Sequence, residues 1–376
     1  MAMLNITNNN SSKSVSMNDG LVGDRNDFET KIALANTSIE KGNWDDAYPY
    51  LKAAVEMNPD YAQGYNHLGI YYTRMKKYAE AIDNFKKALK KDFALTEAHY
   101  NLAFLYMERK EYTTALPYFK EVVLANPDDY ETYYLMGICC IHSNMEKEAE
   151  IFLSESHRLK PEYIAPSIYL CKLLIKKNDY TKAKNILLYI HMSDSSIPEV
   201  NFLLGIIYKI QKKYTRAMYY LRETLLKDKN NTEAYNLMGE CCIESGMDKQ
   251  AETFFSMAVK LDNSFVEAFY NLGNLYYKQE KYENAIFTLE EYMKMKEASD
   301  TINALWSDNT QTNNDTLVQL YNILGHSYKM AKNATKARII WEKSLNIQPQ
   351  QKDIKDELSR LPQLSRLHKR VSLVIE

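Results

Sequence analysis

The sequence predicts an all-α fold, a solenoid of tandem helical hairpins closed by a C-terminal capping helix. Three observations carry this expectation. The 376-residue chain aligns with itself almost throughout at a shift of 34 residues. Within each 34-residue unit, apolar residues recur at helical spacing in two separate blocks. Glycine and proline are scarce, at 11 and 9, whereas strand-rich folds need many turns.

The repeats begin at Phe28, Ala62, Thr96, Tyr130, Ile164, Pro198, Thr232 and Val266, and a ninth begins at Val318 after 18 extra residues. Two nearly identical stretches, LMGICCIHSNMEKEAE at 135–150 and LMGECCIESGMDKQAE at 237–252, lie 102 residues apart, which is three repeat lengths. Their likeness points to growth of the array by copying a block of several repeats.

Position 20 of the repeat is alanine in all nine copies, from Ala47 and Ala81 through to Ala337. Position 8 is always small, as in Ala35, Gly69, Gly137, Cys171 and Gly325. Position 24 is large, as in Leu51, Phe85, Phe119, Leu153, Phe255 and Trp341. Positions 4, 7, 8 and 11 share one face of a first helix, and positions 20, 24 and 27 share one face of a second. The expectation is that the small residue at 8 faces the alanine at 20, so that the two helices approach closely. Gly42, Asn144, Asn178 and Gly246 at position 15 tolerate the left-handed backbone that ends a helix. Pro59, Pro127, Pro161 and Pro349 at position 32 stop the second helix. One such hairpin buries too little apolar surface to offset its ordering entropy, so hairpins must stack on their neighbours.

YNHLGIYY at 65–72 followed by AIDNF at 81–85, and FYNLGNLYY at 269–277 followed by AIFTL at 285–289, resemble the tetratricopeptide repeat. The resemblance covers about residues 28–351; the fifth repeat is weak at its start, and several repeats lack the proline. It implies a right-handed superhelical solenoid. It also implies that the first helices line a concave groove in which a protein or peptide partner binds, through positions 2, 5, 9, 12 and 13.

On that frame the groove of repeats three to six is apolar: Tyr100, Phe104, Met107, Tyr134, Ile138, Ile141, Ile168, Ile175, Phe202, Ile206 and Ile210. Such a stripe marks a partner site if exposed; the competing reading is that positions 5 and 9 pack against the next repeat. Repeats seven and eight carry Glu233, Asn236, Glu240, Glu244, Glu267, Tyr270 and Asn274, an acidic end suited to a basic segment. The glutamates of position 2 also fit a plainer role at helix N-termini, where they favour the dipole. The clamp by which chaperone-binding members of the family hold a C-terminal carboxylate needs lysines. The corresponding residues of the first three repeats are Ile32, Asn36, His67, Glu97 and Asn101. That disfavours chaperone tails as ligands.

The remaining features are read as architecture. Ten of the 30 tyrosines fall in two repeat-core columns, as Tyr72, Tyr106 and Tyr208 do at position 11 and Tyr78, Tyr112 and Tyr214 do at position 17, so the abundance of tyrosine is read as mostly architectural. Cys139, Cys140, Cys171, Cys241 and Cys242 read as buried core thiols, because adjacent helical residues diverge too far for one ion. No histidine has a metal-ligand spacing, no glycine loop cradles phosphate, and no nucleophile motif occurs. The chain is therefore expected to be no enzyme, with no cofactor and no metal. With Lys+Arg 47 against Asp+Glu 49 there is no electrostatic footprint for nucleic acid. The absence of an 18-residue apolar run and of a secretory h-region argues against membrane insertion and for the cytoplasm. Oligomeric state is not set by the sequence.

The expected domains are a disordered Asn/Ser-rich segment at 1–27, nine repeats at 28–351 with an insertion at 300–317, and a capping helix and tail at 352–376. The insertion is expected to be an Asn/Thr-rich loop in its middle, with Trp306 either packed under an extended second helix or exposed. The function this supports is a scaffold or adaptor. The alternatives are a co-chaperone or cargo receptor for short peptide termini, and a regulatory subunit of a protein-modifying enzyme.

Overall fold

The structure, a computed structural model, describes residues 22–306 and 314–362, and every regular element among them is a helix. The chain divides into two compact units, residues 1–179 and 180–376. The first holds α1 (Val22–Glu40), α2 (Trp44–Met57), α3 (Ala62–Arg74), α4 (Tyr78–Lys91), α5 (Thr96–Glu108), α6 (Tyr112–Ala125), α7 (Tyr130–His142), α8 (Glu146–Leu159) and α9 (Ile164–Lys176). The second holds α10 (Tyr180–Ser193), α11 (Pro198–Ile210), α12 (Tyr214–Lys227), α13 (Thr232–Glu244), α14 (Asp248–Leu261), α15 (Val266–Lys278), α16 (Tyr282–Trp306), α17 (Asn314–Met330), α18 (Ala334–Ile347) and α19 (Lys352–Arg360). The boundary falls inside the fifth repeat, between its two helices.

Within each unit the helices pack as hairpins: α3 on α4, α5 on α6 and α7 on α8 in one, α11 on α12 and α13 on α14 in the other. Each second helix then touches the first helix of the next repeat, as α4 does α5 and α12 does α13. First helices also touch one another, α3 against α5 and α13 against α15. A solenoid is built by this repetition.

The hairpin contact is centred on the large residue at position 24. A Cβ added at Gly69 would lie 2.5 Å from the Phe85 ring, one at Gly137 2.6 Å from Leu153, and one at Gly205 2.8 Å from Leu221. The small residue at position 8 thus faces the large residue at 24, which fills the missing side chain's place, and at Gly205 the added Cβ would also lie 3.6 Å from the carbonyl oxygen of Ala217 at position 20. The alanines at 20 are fully buried, from Ala47 to Ala337, so both columns are tight for separate reasons.

The turn between the two helices is uniform. Position 15 has positive φ in every repeat: Gly42, Lys76, Lys110, Asn144, Asn178, Lys212, Gly246, Glu280 and Lys332, between +56° and +77°. The next N–H returns to the carbonyl of position 11, as in Lys77 to Tyr72 at 2.9 Å and Met247 to Cys242 at 2.8 Å. That is the bond that closes a Schellman cap. Five of these nine residues are lysine or glutamate, so the hairpin geometry imposes the left-handed state where no side chain signals it. Proline is not needed to end the second helix either. α4 and α12 stop at the same position without one, closed by Asp92 N–H to Ala88 O and Asp228 N–H to Thr224 O, both 2.8 Å.

Two boundaries depart from expectation, the starts of α1 and α17. Helix α1 begins at Val22, so residues 22–27 are helical; residues 1–21 lie outside the described residues. Extending a nucleated helix costs little, and Asp27 pairs with Lys31 at 3.8 Å one turn on. The insertion is helical at both ends: α16 runs on to Trp306 as an extended second helix, and α17 starts at Asn314, ahead of the ninth repeat. Leu317 and Val318 are buried there, which anchors the earlier start of α17. Residues 307–313 and the side chain of Trp306 lie outside the described residues, as does the tail from 363. Ile354 of the short helix α19 and Leu361 just after it are buried in the cluster that holds Trp341 and Leu324.

Candidate functional site

Positions 5, 9 and 12 of each first helix lie one turn apart on one face, and they form the floor of the candidate site. In the N-terminal unit, α5 contributes Tyr100, Phe104 and Met107, and α7 contributes Tyr134, Ile138 and Ile141. These do not behave alike. Tyr100 is 8% exposed. Its ring stacks on Phe104 at 6.2 Å and meets Phe119 of α6 edge-on at 6.0 Å. Burial pushes its phenol far above the usual range. Tyr100 is a core residue, and its inclusion among accessible groove residues is corrected. The same holds for Ile168 on α9, also buried.

Phe104, Met107, Tyr134, Ile138 and Ile141 are half-buried. They rest on the core cluster of this unit without being sealed by it; Phe104, Met107, Tyr134 and Ile141 all flank it. Tyr134 is steadied by the Tyr163 ring at 5.5 Å and Tyr169 at 6.0 Å. The result is an apolar track along consecutive first helices, with residual surface at every step.

In the C-terminal unit, Phe202 and Ile206 on α11 are half-buried and Ile210 is 44% exposed. The adjoining stretch on α13 and α15 is polar, but one of its carboxylates is already engaged. Glu240 is ion-paired to Lys209. Its Oε1 also accepts from Asn236 Nδ2 at 2.9 Å and from Asn271 Nδ2 at 3.2 Å. This corrects the reading of Glu240 as an open anion awaiting a basic segment, because the lysine one repeat earlier has already taken it. Tyr270 and Asn274 are half-buried on α15, and burial raises the Tyr270 phenol.

Sequence reasoning missed two asparagine pairs that stitch neighbouring first helices. Asn101 Nδ2 donates to Asn66 Oδ1 at 3.1 Å, and Asn271 Nδ2 donates to Asn236 Oδ1 at 2.9 Å. The available signal was an asparagine recurring 35 residues on, one more than the repeat length, so that position 5 meets position 6 of the next copy. Buried amides need such partners.

The cysteines sit in the core. All five are free and buried. Burial pushes Cys139, Cys171 and Cys241 up to about 12 and Cys140 up to about 11. Protonated thiols are poor nucleophiles and poor ligands.

Comparison with known proteins bears on the family. A tetratricopeptide repeat family model matches residues 210–265 and a second matches residues 266–299. The model of the tetratricopeptide repeat protein 21 C-terminal ARM domain matches residues 8–133. The chain is a tetratricopeptide repeat protein. Among curated relatives, human DnaJ homolog subfamily C member 3 is 24% identical over 185 residues, covering 45% of this chain and 37% of that protein. The Drosophila melanogaster BBSome complex member BBS4 homolog is 21% identical over 268 residues, covering 66% of this chain and 54% of that protein. The tetratricopeptide chain thus spans roughly half or less of the length of these relatives. Among solved structures, the C-terminal part of a tetratricopeptide repeat-containing protein from Cytophaga hutchinsonii is similar at TM-score 0.51 and 13% identity. It covers 68% of this chain and 98% of that one. The likeness is one of fold: tandem helical hairpins, read here in each unit.

Proposed function

We propose that the protein is an adaptor or scaffold that binds a segment of a partner protein along its first-helix groove. The reading rests on one observation above others: Phe104, Met107, Ile138 and Ile141 form an apolar track that is neither sealed into the core nor covered by polar side chains. Half-buried apolar residues held on rigid helices are pre-organised, so a partner gains burial without first ordering the site. Tyr134 extends the track, and Phe202 and Ile206 offer the same chemistry in the C-terminal unit. The cytoplasm is the compartment this reading assumes, in keeping with five free thiols.

The test is affinity capture from the native host with wild type and with the combined Phe104→Ser, Tyr134→Ser and Phe202→Ser variant. Recovery of bound partners is expected to fall about tenfold, as loss of two or three anchors implies, with helicity and melting close to wild type. Unchanged recovery removes the groove from consideration. A second reading is a co-chaperone or cargo receptor recognising short peptide termini, and the likeness to a DnaJ homolog bears on its co-chaperone part alone. This reading requires binding to collapse when the ligand's terminal carboxylate is amidated, whereas the adaptor reading requires binding to persist.

A further inference from the structure

The polar stretch of the C-terminal unit forms a cleft of about 620 Å³ between α11, α13 and α15, lined by Lys209, Lys212, Glu240, Glu244, Asn274 and Lys278 with Ile210 and Ile243 beside them. Lys209 and Glu240 cancel each other, and both amides that reach Glu240 come from the protein itself. Glu244 accepts from Tyr214 Oη at 3.1 Å. What stays uncompensated is two ammonium groups, Lys212 and Lys278, against that one carboxylate. Lys212 is fixed at its stem by the α11–α12 turn, where its φ is +56°. Asn274 lies one turn before Lys278 on the same face of α15. It is half-buried and has no protein partner among the described residues, so its amide has one donor and one acceptor side to offer a main chain.

Resting on the adaptor reading above, we propose that this cleft takes an acidic stretch of the partner, whose carboxylate side chains meet Lys212 and Lys278 while Asn274 holds its backbone and an apolar residue covers Ile210. A basic segment would bring like charges together over the two lysines, which opposes binding. The preference is for internal Asp or Glu, not for a chain terminus, because the clamp positions of terminal-carboxylate binders hold Phe202, Ile206, Leu237, Glu267 and Asn271 in these three repeats, with no lysine among them.

A phage-displayed random dodecapeptide library, panned on wild type and on Lys212→Glu/Lys278→Glu, tests this. Over wild type, selected peptides are expected to be rich in Asp and Glu, and over the double variant that enrichment disappears. A selected peptide, resynthesised with acetylated and amidated ends, is expected to keep its affinity and to lose about tenfold when its acids become Gln or when Asn274 becomes Ala. Enrichment of basic peptides, no charge preference, insensitivity to the double variant, or no peptide selected at all overturns the proposal. Dependence on a free terminal carboxylate overturns it too. The capture experiment with Phe104→Ser and Tyr134→Ser alone, in the other unit, reads the groove hypothesis separately and can succeed where this one fails.

Discussion

Gly69 on α3 faces Phe85 on α4 so closely that a Cβ on the glycine would stand 2.5 Å from the ring. Phe85 is fully buried and cannot swing outward, so the helices must part if the site is filled. Gly69→Ala is therefore expected to cost about 1–3 kcal/mol, in the range of core overpacking, read by denaturant unfolding. Gly205→Ala is expected to cost less, because its neighbour is the 2.8 Å distant end of the Leu221 side chain.

Glu280 holds φ at +60° just past the end of α15. Two terms oppose it there. A non-glycine residue in this region is strained by about 1–2 kcal/mol, and an acid near a helix C-terminus loses roughly 0.3–1 kcal/mol to the dipole. Glycine gives back about 0.5–1 kcal/mol in unfolded-state entropy. Glu280→Gly is expected to stabilise the C-terminal unit by about 1 kcal/mol, a rise of roughly 2–4 °C in Tm. Lys110→Gly is expected to gain less, since a cation suits the helix end.

How far the chain could be read in advance differs between backbone and site. The period of 34 placed the helices of repeats two to seven nearly to the residue, because the alanine and small-residue columns answer to one geometry. Lys76, Lys110 and Lys212 escaped notice as turn residues, since the left-handed state there is forced by neighbouring helices and leaves no mark on the side chain. The site was harder. Tyr100 and Tyr134 occupy the same column, yet Phe119 meets the ring of one edge-on and it is buried, while the other stays partly exposed. Whether Glu240 is a free anion depends on Lys209, 31 residues earlier, an offset that matches no helical period and appears only when two repeats are stacked.

Tyr100 and Met107 separate these roles experimentally. Tyr100→Ala empties a buried site flanked by Phe104 and Phe119 and is expected to cost about 3–5 kcal/mol, as large core truncations do. Met107→Ser, at a half-buried position, is expected to cost about 1 kcal/mol or less and to weaken partner binding. Equal losses of stability from both would place Met107 in the core with Tyr100.

His67 supplies the pH dependence. It is buried on α3, with Gln63 Nε2 3.5 Å from its Nε2 and Nδ1 unpaired. Burial lowers its pKa from 6.5 to about 4. The folded state therefore keeps the ring neutral where the unfolded chain protonates it. Stability is fully present above about pH 6.5 and drains away as pH falls towards 4, by roughly 3 kcal/mol in all at one decade per 1.4 kcal/mol. Burial lowers His157 and His326 as well, and both act in the same sense. Urea unfolding between pH 7 and 4.5 is expected to show the N-terminal unit weakening with acid, and His67→Gln to flatten that slope. A His67→Gln protein with the wild-type slope would mean that other groups carry the acid sensitivity.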